Sequence, residues 1–534
     1  MWPHKFAAMP GYLAIVLHAH LPFVRHPEHP KFLEESWLFE AITESYLPLL
    51  QRLEDWWRER RRARLTLTLS PTLCAMLRDP LLQARYEQRL DALITLAKTE
   101  IQRTRREPDF HPLAQMYHAR FTAARKLYRR LKGDLVQGFR RMQERGQIEI
   151  ITTGATHGLL PLMGNHPPSM RAQILVARDQ YRDCFGCDPR GFWLPECAYS
   201  GDVEIFLREA GVRWFIVATH GLLHARPRPR YGVFAPVMTS QALAVFGRDG
   251  ESSRQVWSRT EGYPGDPRYR DFYRDIGFDL DFDYVQPCLP CPEHRGFTGF
   301  KYYRITGNQA AKQPYQPAAA RQAAAEHAQH FWDARLAQVQ QVGAGLDRPP
   351  LIVSPYDAEL FGHWWYEGPE FLDQLVRRAA RKPEALALIT PTDYLAQHST
   401  HQVAAPAASS WGEAGYYRVW LNHENEWMHR RLQPAQERMS ELVRKHPRPG
   451  HWQRRALQQA ARELLLAQAS DWAFLLSAGT GGDYARQRVN THLRRFHTLH
   501  TQLLNGRLNR SWLATIEARD NLFPNLNVRY WAAA

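Results

Sequence analysis

Residues 351–370 read LIVSPYDAELFGHWWYEGPE, an apolar run that stops at Asp357 and Glu359 and continues into a His and two Trp. A third acid, Glu196, sits among apolar and aromatic neighbours in WLPECAY. A carboxyl at such a strand end is partly desolvated. It serves as a nucleophile when donors hold it ionised, or as an acid when burial raises its pKa. The alternative for Glu196 is a buried carboxylate paired with an arginine. Two carboxylates from different strand ends are the equipment of glycoside cleavage, and in the retaining version they lie about 5–5.5 Å apart. Asp357 is the candidate partner of Glu196. Glu359 falls where AELFGHWW turns towards a helix, so a capping or orienting role is expected for it.

His18 and His20 in HAH alternate with Ala, so both point to one face of a strand. With His157 in GATHG they have metal-ligand character, but no Asp completes a clean triad. Neutral donors to sugar hydroxyls or to a carboxylate are the expected role, with no metal and no cofactor. Trp411 and Trp420 in SSWGEAGYYRVWLN, with Trp364, Trp365 and Trp472, supply flat faces for pyranose rings, or else core packing between domains. The pairs Cys184/Cys187 and Cys288/Cys291 have zinc-like CxxC spacing, but lie about a hundred residues apart without a knuckle-like context. Free thiols are the preferred reading. No Gly-rich phosphate loop and no G-x-S-x-G elbow occurs, so nucleotide and serine-hydrolase chemistries lack support.

Parallel strands must position these residues. Seven short runs end in polar residues: YLAIVLHAH, RLTLTLS, IEIITTGATHG, GFWLPECAY, RWFIVATHG, LIVSPYD and LALITPTDY. Most are continuous apolar runs, as expected of strands buried on both faces, and helical patterns lie between several of them. The polar ends (His18, His20, Ser70, His157, Glu196, His220, Asp357 and Asp393) favour a barrel, closed or incomplete, over an open sheet, because a barrel gathers its strand ends about one axis. The expected organisation is a catalytic domain over 1–400 and a helical C-terminal domain over 401–534 that contributes to the cleft. Within the first, 75–147 reads as an inserted helical subdomain and 221–350 as long active-site loops.

The chain has 534 residues, 44% of them hydrophobic, which suits a large core rather than disorder. Its net charge of +15 comes from Lys and Arg interspersed with acids along helices, so a solvated surface is expected and not a nucleic-acid partner. The N-terminal apolar stretch is too short to span a bilayer and lacks a cleavage pattern. Six Cys in so long a chain make no disulfide scaffold. Together these predict a cytoplasmic protein, monomeric or weakly associated, with no membrane partner.

The segments HAHLPFVRHPEHP, GATHGLLPL, WLPECAY, SPYDAELFGHWWYEGPEFLD and SSWGEAGYYRVWLN, in that order, resemble the five motifs of glycoside hydrolase family 57. YPGDPRYRDFYRDIGFD, FTGFKYYRITG and SDWAFLLSAGT are similar to that family's α-1,4-glucan branching members. The resemblance implies an α/β fold, an incomplete (β/α)7 barrel with a helical insert and a helical C-terminal domain. It implies a retaining transfer of an α-1,4-glucan segment to a 6-hydroxyl, with Glu196 as nucleophile and Asp357 as general acid/base. It places His18, His20, His157, Arg270, Gly299, Trp411, Trp420 and Asp471 around the glucan. A covering loop is expected near 225–260, with Tyr231 or Phe246 as its aromatic. Other outcomes are an amylase or 4-α-glucanotransferase of the same family, a metal-dependent sugar deacetylase or zinc mannosidase, and a catalytically silent glucan-binding protein.

Overall fold

The computed structural model describes residues 11–258, 261–307 and 311–532. The first ten residues, part of the stretch read for a leader, lie outside them. Among the described residues nine strands form two sheets: β1 Gly11–Ala19, β2 Leu65–Leu69, β3 Ile148–Ile151, β4 Gly191–Phe192, β5 Trp214–Val217, β6 Val237–Met238, β7 Ala244–Gly247, β8 Leu351–Asp357 and β9 Leu386–Leu388. The first sheet runs β3-β2-β1-β8, all parallel, with β9 beside the start of β1. The second runs β4-β5-β7-β6, and only β6 is antiparallel.

The sheets touch at both edges. Thr152, after β3, bridges Phe192 of β4 in parallel. Beyond β7, the Asp249 N–H donates to the Val353 carbonyl of β8 at 2.8 Å. Alternation along β1 sorts its side chains: Leu13, Ile15 and Leu17 join the large outer core, while Ala14 and Val16 join a smaller cluster with Ile151, Trp214, Ile216, Phe246 and Val353. Strands β1, β3, β5, β7 and β8 thus share one small apolar cluster, and both faces of β1 are buried.

Two differences from expectation have simple causes. Strand β7 lies inside 221–350, where four residues of AVFG among Pro, Gly and polar neighbours made too short a signal. LALITPTDY contributes only three strand residues, because Thr390 caps a helix Pro391–Gln397 through its side chain.

Helices dominate the rest. Within 75–147, Pro80–Arg103 and His111–Arg130 pack together, and Asp79 starts the first by accepting from the Leu82 N–H at 3.1 Å. Beyond the two sheets, Glu426–Lys445, His451–Ala467, Ser470–Ala478, Gly482–Leu504 and Arg510–Arg519 form the helical C-terminal part. Among the described residues no helix is long and apolar enough to cross a membrane.

Candidate active site

Register fixes the first contacts. His18 of β1 pairs with Asp357 of β8, so the HAH motif and the acid reach the same end of the sheet. Glu196 follows β4 in a left-handed conformation, φ 59°, as does Cys197, φ 51°. That unusual turn at non-glycine residues aims the carboxylate inward. The Trp411 indole Nε1–H donates to Glu196 Oε2 at 2.9 Å and Ser470 Oγ–H donates to Oε1 at 3.0 Å. Ser470 begins the helix Ser470–Ala478, whose partial positive end also favours an anion there.

A histidine array lies beneath. His157 Nδ1 is 2.8 Å from Ser470 Oγ, and its Nε2 is 2.9 Å from His18 Nε2. His20 stacks on His157 with centroids 3.9 Å apart. The His20 Nδ1 contacts Ser70 Oγ at 2.9 Å and its Nε2 contacts Asp471 Oδ2 at 3.1 Å. Burial pushes the pKa of His18 and His157 well down, so both are neutral. Burial also disfavours charge on His20, but Asp471, with Glu196 and Glu359 farther off, raises its pKa. Contrary to the expectation that no Asp completes a triad, Asp471 joins His20 and His157 with ligand atoms all within 4.8 Å of one another, so proximity alone would allow a metal ion. Their donor atoms are already engaged with one another and with the two serines. The array therefore fits a hydrogen-bonded polar floor better than a metal site.

The two acids are both raised. Burial lifts Glu196 to about 7 against the Trp411 and Ser470 donors, and the charges of Asp471 and Asp357 add to the rise. Burial lifts Asp357 to about 6, opposed by nearby Trp257 and by the Arg248 and His20 charges. Each carboxyl near neutrality can exchange a proton with a sugar oxygen at physiological pH. Glu359 is different. It is buried, accepts from the Tyr46 hydroxyl and from the His20 N–H at 3.2 Å, and is lifted to about 8, mainly by burial. It ties β1 to the loop after β8 and holds His20 in place, in line with the orienting role expected.

The structure thus gathers Glu196, Asp357, His18, His20, His157, Trp411 and Asp471. Trp420 is 2% exposed and lines a cavity of about 340 Å³ whose wall includes Gln468 and Ser470. Its ring packs so closely on Gly412 that a Cβ there would lie 2.5 Å from it. Trp365 and Trp472 are core residues, whereas Trp364 is open to solvent. Arg270 is buried in another network, donating to Glu44 Oε1 at 3.1 Å, with its guanidinium 3.9 Å over Tyr366. Gly299, φ 93°, donates its N–H to Asp275 Oδ2 at 2.9 Å. Asp393 pairs with Arg64, before β2, at the opposite strand end.

The covering aromatic expected on 225–260 is neither residue named for it. The Tyr231 hydroxyl donates to Asp347 at 2.7 Å, near the start of β8, and Phe246 is buried core in β7. Trp257, 53% exposed and near enough to lower the Asp357 pKa, stands nearer the chemistry. Arg248, whose guanidinium lies 5.6 Å over Trp411, was likewise missed with β7. Ser470 was legible only as the neighbour of Asp471. All six cysteines are free thiols, and Cys197 packs against the Ile216 carbonyl with its pKa pushed up by burial to about 12.

Residues 14–407 match the model of glycosyl hydrolase family 57. The chain belongs to glycosyl hydrolase family 57. Residues 431–531 match a second model, described as 1,4-alpha-glucan branching enzyme, C-terminal. A family-57 relative, a 1,4-alpha-glucan branching enzyme of Thermococcus kodakarensis, is 32% identical over 96% of this chain and 78% of its own length. Among solved structures, the alpha-amylase AmyC from Thermotoga maritima is 40% identical with a TM-score of 0.92, covering 98% of this chain and all of its own (100%). A GH57 branching enzyme from Thermococcus kodakaraensis, in complex with glucose and additives, is 30% identical with a TM-score of 0.88, covering 98% of this chain and 96% of its own.

Proposed function

We propose that this family-57 chain is a 1,4-α-glucan branching enzyme working by retaining double displacement. The observation that carries the reading is Glu196, held by the Trp411 and Ser470 donors and electrostatically coupled to Asp357 on the far strand. Glu196 attacks the anomeric carbon of an internal α-1,4 linkage while Asp357 protonates the departing oxygen. The glucosyl ester on Glu196 is then opened by a glucan 6-hydroxyl, which Asp357 deprotonates. The first step needs Glu196 ionised and Asp357 protonated, although burial lifts Glu196 (about 7) above Asp357 (about 6). The two donors on Glu196 favour its ionised form, and the leaving oxygen favours the proton on Asp357. His18, His20, His157, Asp471, Trp411 and Trp420 are the proposed glucan contacts, with Arg270 and Gly299 supporting the wall from a second network.

The seven parallel strands in the order β8-β1-β2-β3-β4-β5-β7, with contacts back from Asp249 to β8, support reading the fold as an incomplete (β/α)7 barrel. On that reading 1–400 is the catalytic domain, with the insert at 75–147 and the long loops at 221–350, and 401–534 is the C-terminal domain. Six free thiols suit the cytoplasm, and a monomer or weak oligomer fits the size of the chain. The match of 431–531 to the branching-enzyme C-terminal model favours branching. The likeness to AmyC supports α-amylase action as the second reading. Incubation with amylose followed by enzymatic debranching separates them: branching predicts new α-1,6 linkages, and their complete absence with accumulating reducing ends would leave the amylase. Glu196→Gln and Asp357→Asn should each lower turnover by at least about 10³-fold.

A further inference from the structure

The loop that leaves Asp357 carries a second aromatic surface. Trp364 is 52% exposed and Tyr273 65% exposed. Phe272 joins them: its ring stacks on Trp364 with centroids 4.3 Å apart, at 26°, and meets Tyr273 edge-on at 5.1 Å. Phe297 and the exposed Phe278 extend the same cluster.

This surface is built from beneath. Lys301 is 2% exposed, yet its ammonium has no carboxylate within salt-bridge reach among the described residues. It lies 4.0 Å from the Phe272 centroid and 4.4 Å from that of Phe297, and donates to the Phe272 carbonyl at 2.5 Å. A desolvated cation under two rings fixes them strongly. The edge is fixed as well. His363 Nδ1–H donates to Glu44 Oε2 at 2.9 Å, and Glu44 in turn accepts from Arg270 at 3.1 Å. Gly362, φ 120°, makes the turn before His363, where a Cβ would lie 1.8 Å from the Glu44 carbonyl oxygen.

Rigid, exposed aromatic faces with a polar rim at Glu40 and His363 match a pyranose, which is apolar on its faces and hydroxylated at its edge. The platform is continuous with the catalytic loop, because the His363 and Trp364 N–H groups both bond the Glu359 carbonyl, at 3.2 and 3.3 Å. We infer that Trp364 and Tyr273, backed by Phe272 and Lys301, form a remote subsite that grips an α-glucan chain beyond the residues around Glu196 and Asp357. The inference rests on the α-glucan reading above and extends it to a substrate-gripping surface that selects long chains.

Amylose binding measured by titration calorimetry on Glu196→Gln protein tests it without turnover. In that background Trp364→Ala and Tyr273→Ala should each weaken binding about five- to tenfold, and Trp364→Phe should retain most of it. Thermal melts accompany each variant. Tyr273 is too exposed for its truncation to unfold the protein, so it decides the matter if Trp364→Ala melts early. Parent-like affinity in Tyr273→Ala and in a folded Trp364→Ala overturns the platform. So does equal weakening by Trp364→Phe and Trp364→Ala, or a change in sedimentation in place of a change in amylose affinity. If Glu196→Gln itself fails to bind amylose, the α-glucan reading falls too; if it binds and the variants match it, only the platform falls.

Discussion

At the scale of single residues, the candidate site turns on how Glu196 is kept ionisable in a buried place. Its carboxyl is lifted by burial to about 7, and the Trp411 indole is the largest opposing influence. Trp411→Phe keeps the ring and removes that donor. The Glu196 pKa then rises further, so the acidic limb of the kcat/KM profile moves to higher pH, and turnover at neutral pH falls about 10- to 100-fold. A pH–rate series on both proteins checks the direction, and an unmoved limb would mean that the indole does not tune Glu196. The same scale separates the two acids of SPYDAE. Asp357, on the strand end, faces His18 in register and senses Arg248. Glu359 is sealed against Tyr46 and the His20 backbone. Their types and spacing were visible in the chain, but their different surroundings come from β1 and the helical segment bearing Tyr46, hundreds of residues away.

At the scale of elements, two segments outside the strands complete the site: the loop bearing Trp411 and the helix Ser470–Ala478. The loop is held by close packing of Trp420 on Gly412 and by the Trp411 N–H, which donates to the Glu196 carbonyl at 3.2 Å. Gly412→Ala inserts a Cβ 2.5 Å from the Trp420 ring, which must shift. We expect a destabilisation of about 1–3 kcal/mol together with a larger proportional loss of turnover, because the displaced loop carries the Glu196 donor. Thermal melts and activity at one temperature compare the two, and a variant with full turnover would show the loop to be incidental. Long periodic helices and strongly apolar strands such as β1 and β8 were legible from pattern alone. Strand β7 was not, since four residues carry little periodicity, and with it Arg248 and Trp257 stayed hidden.

At the scale of the whole molecule, the C-terminal helices bury a titratable cluster away from the site. His492 Nδ1–H donates to Glu463 Oε2 at 2.6 Å, and Arg495 reaches both Glu463 and Asp520. Burial lifts Glu463 from 4.5 to about 7. A carboxyl raised on folding binds its proton more tightly in the folded state, so its contribution to stability is present below pH 4.5 and is lost as pH rises towards 7. Relative to the parent, Glu463→Gln should therefore gain stability across that window, by on the order of 2–3 kcal/mol. Denaturant midpoints at several pH values measure the difference, and a constant offset would refute the assignment. The sequence alone determined the residue types that can cleave a glycosidic bond, the apolar runs that carry most of them, and the family motifs, because these are local in the chain. Only the tertiary structure decided which of the strand-end groups converge. It moved Asp393 and Tyr231 to the opposite end, buried Trp365 and Trp472, brought Ser470 and Trp411 onto Glu196, and left Trp364 open beside Phe272. The physical reason is that register and packing between distant segments set the direction and desolvation of a side chain, and neither quantity is written in its neighbours along the chain.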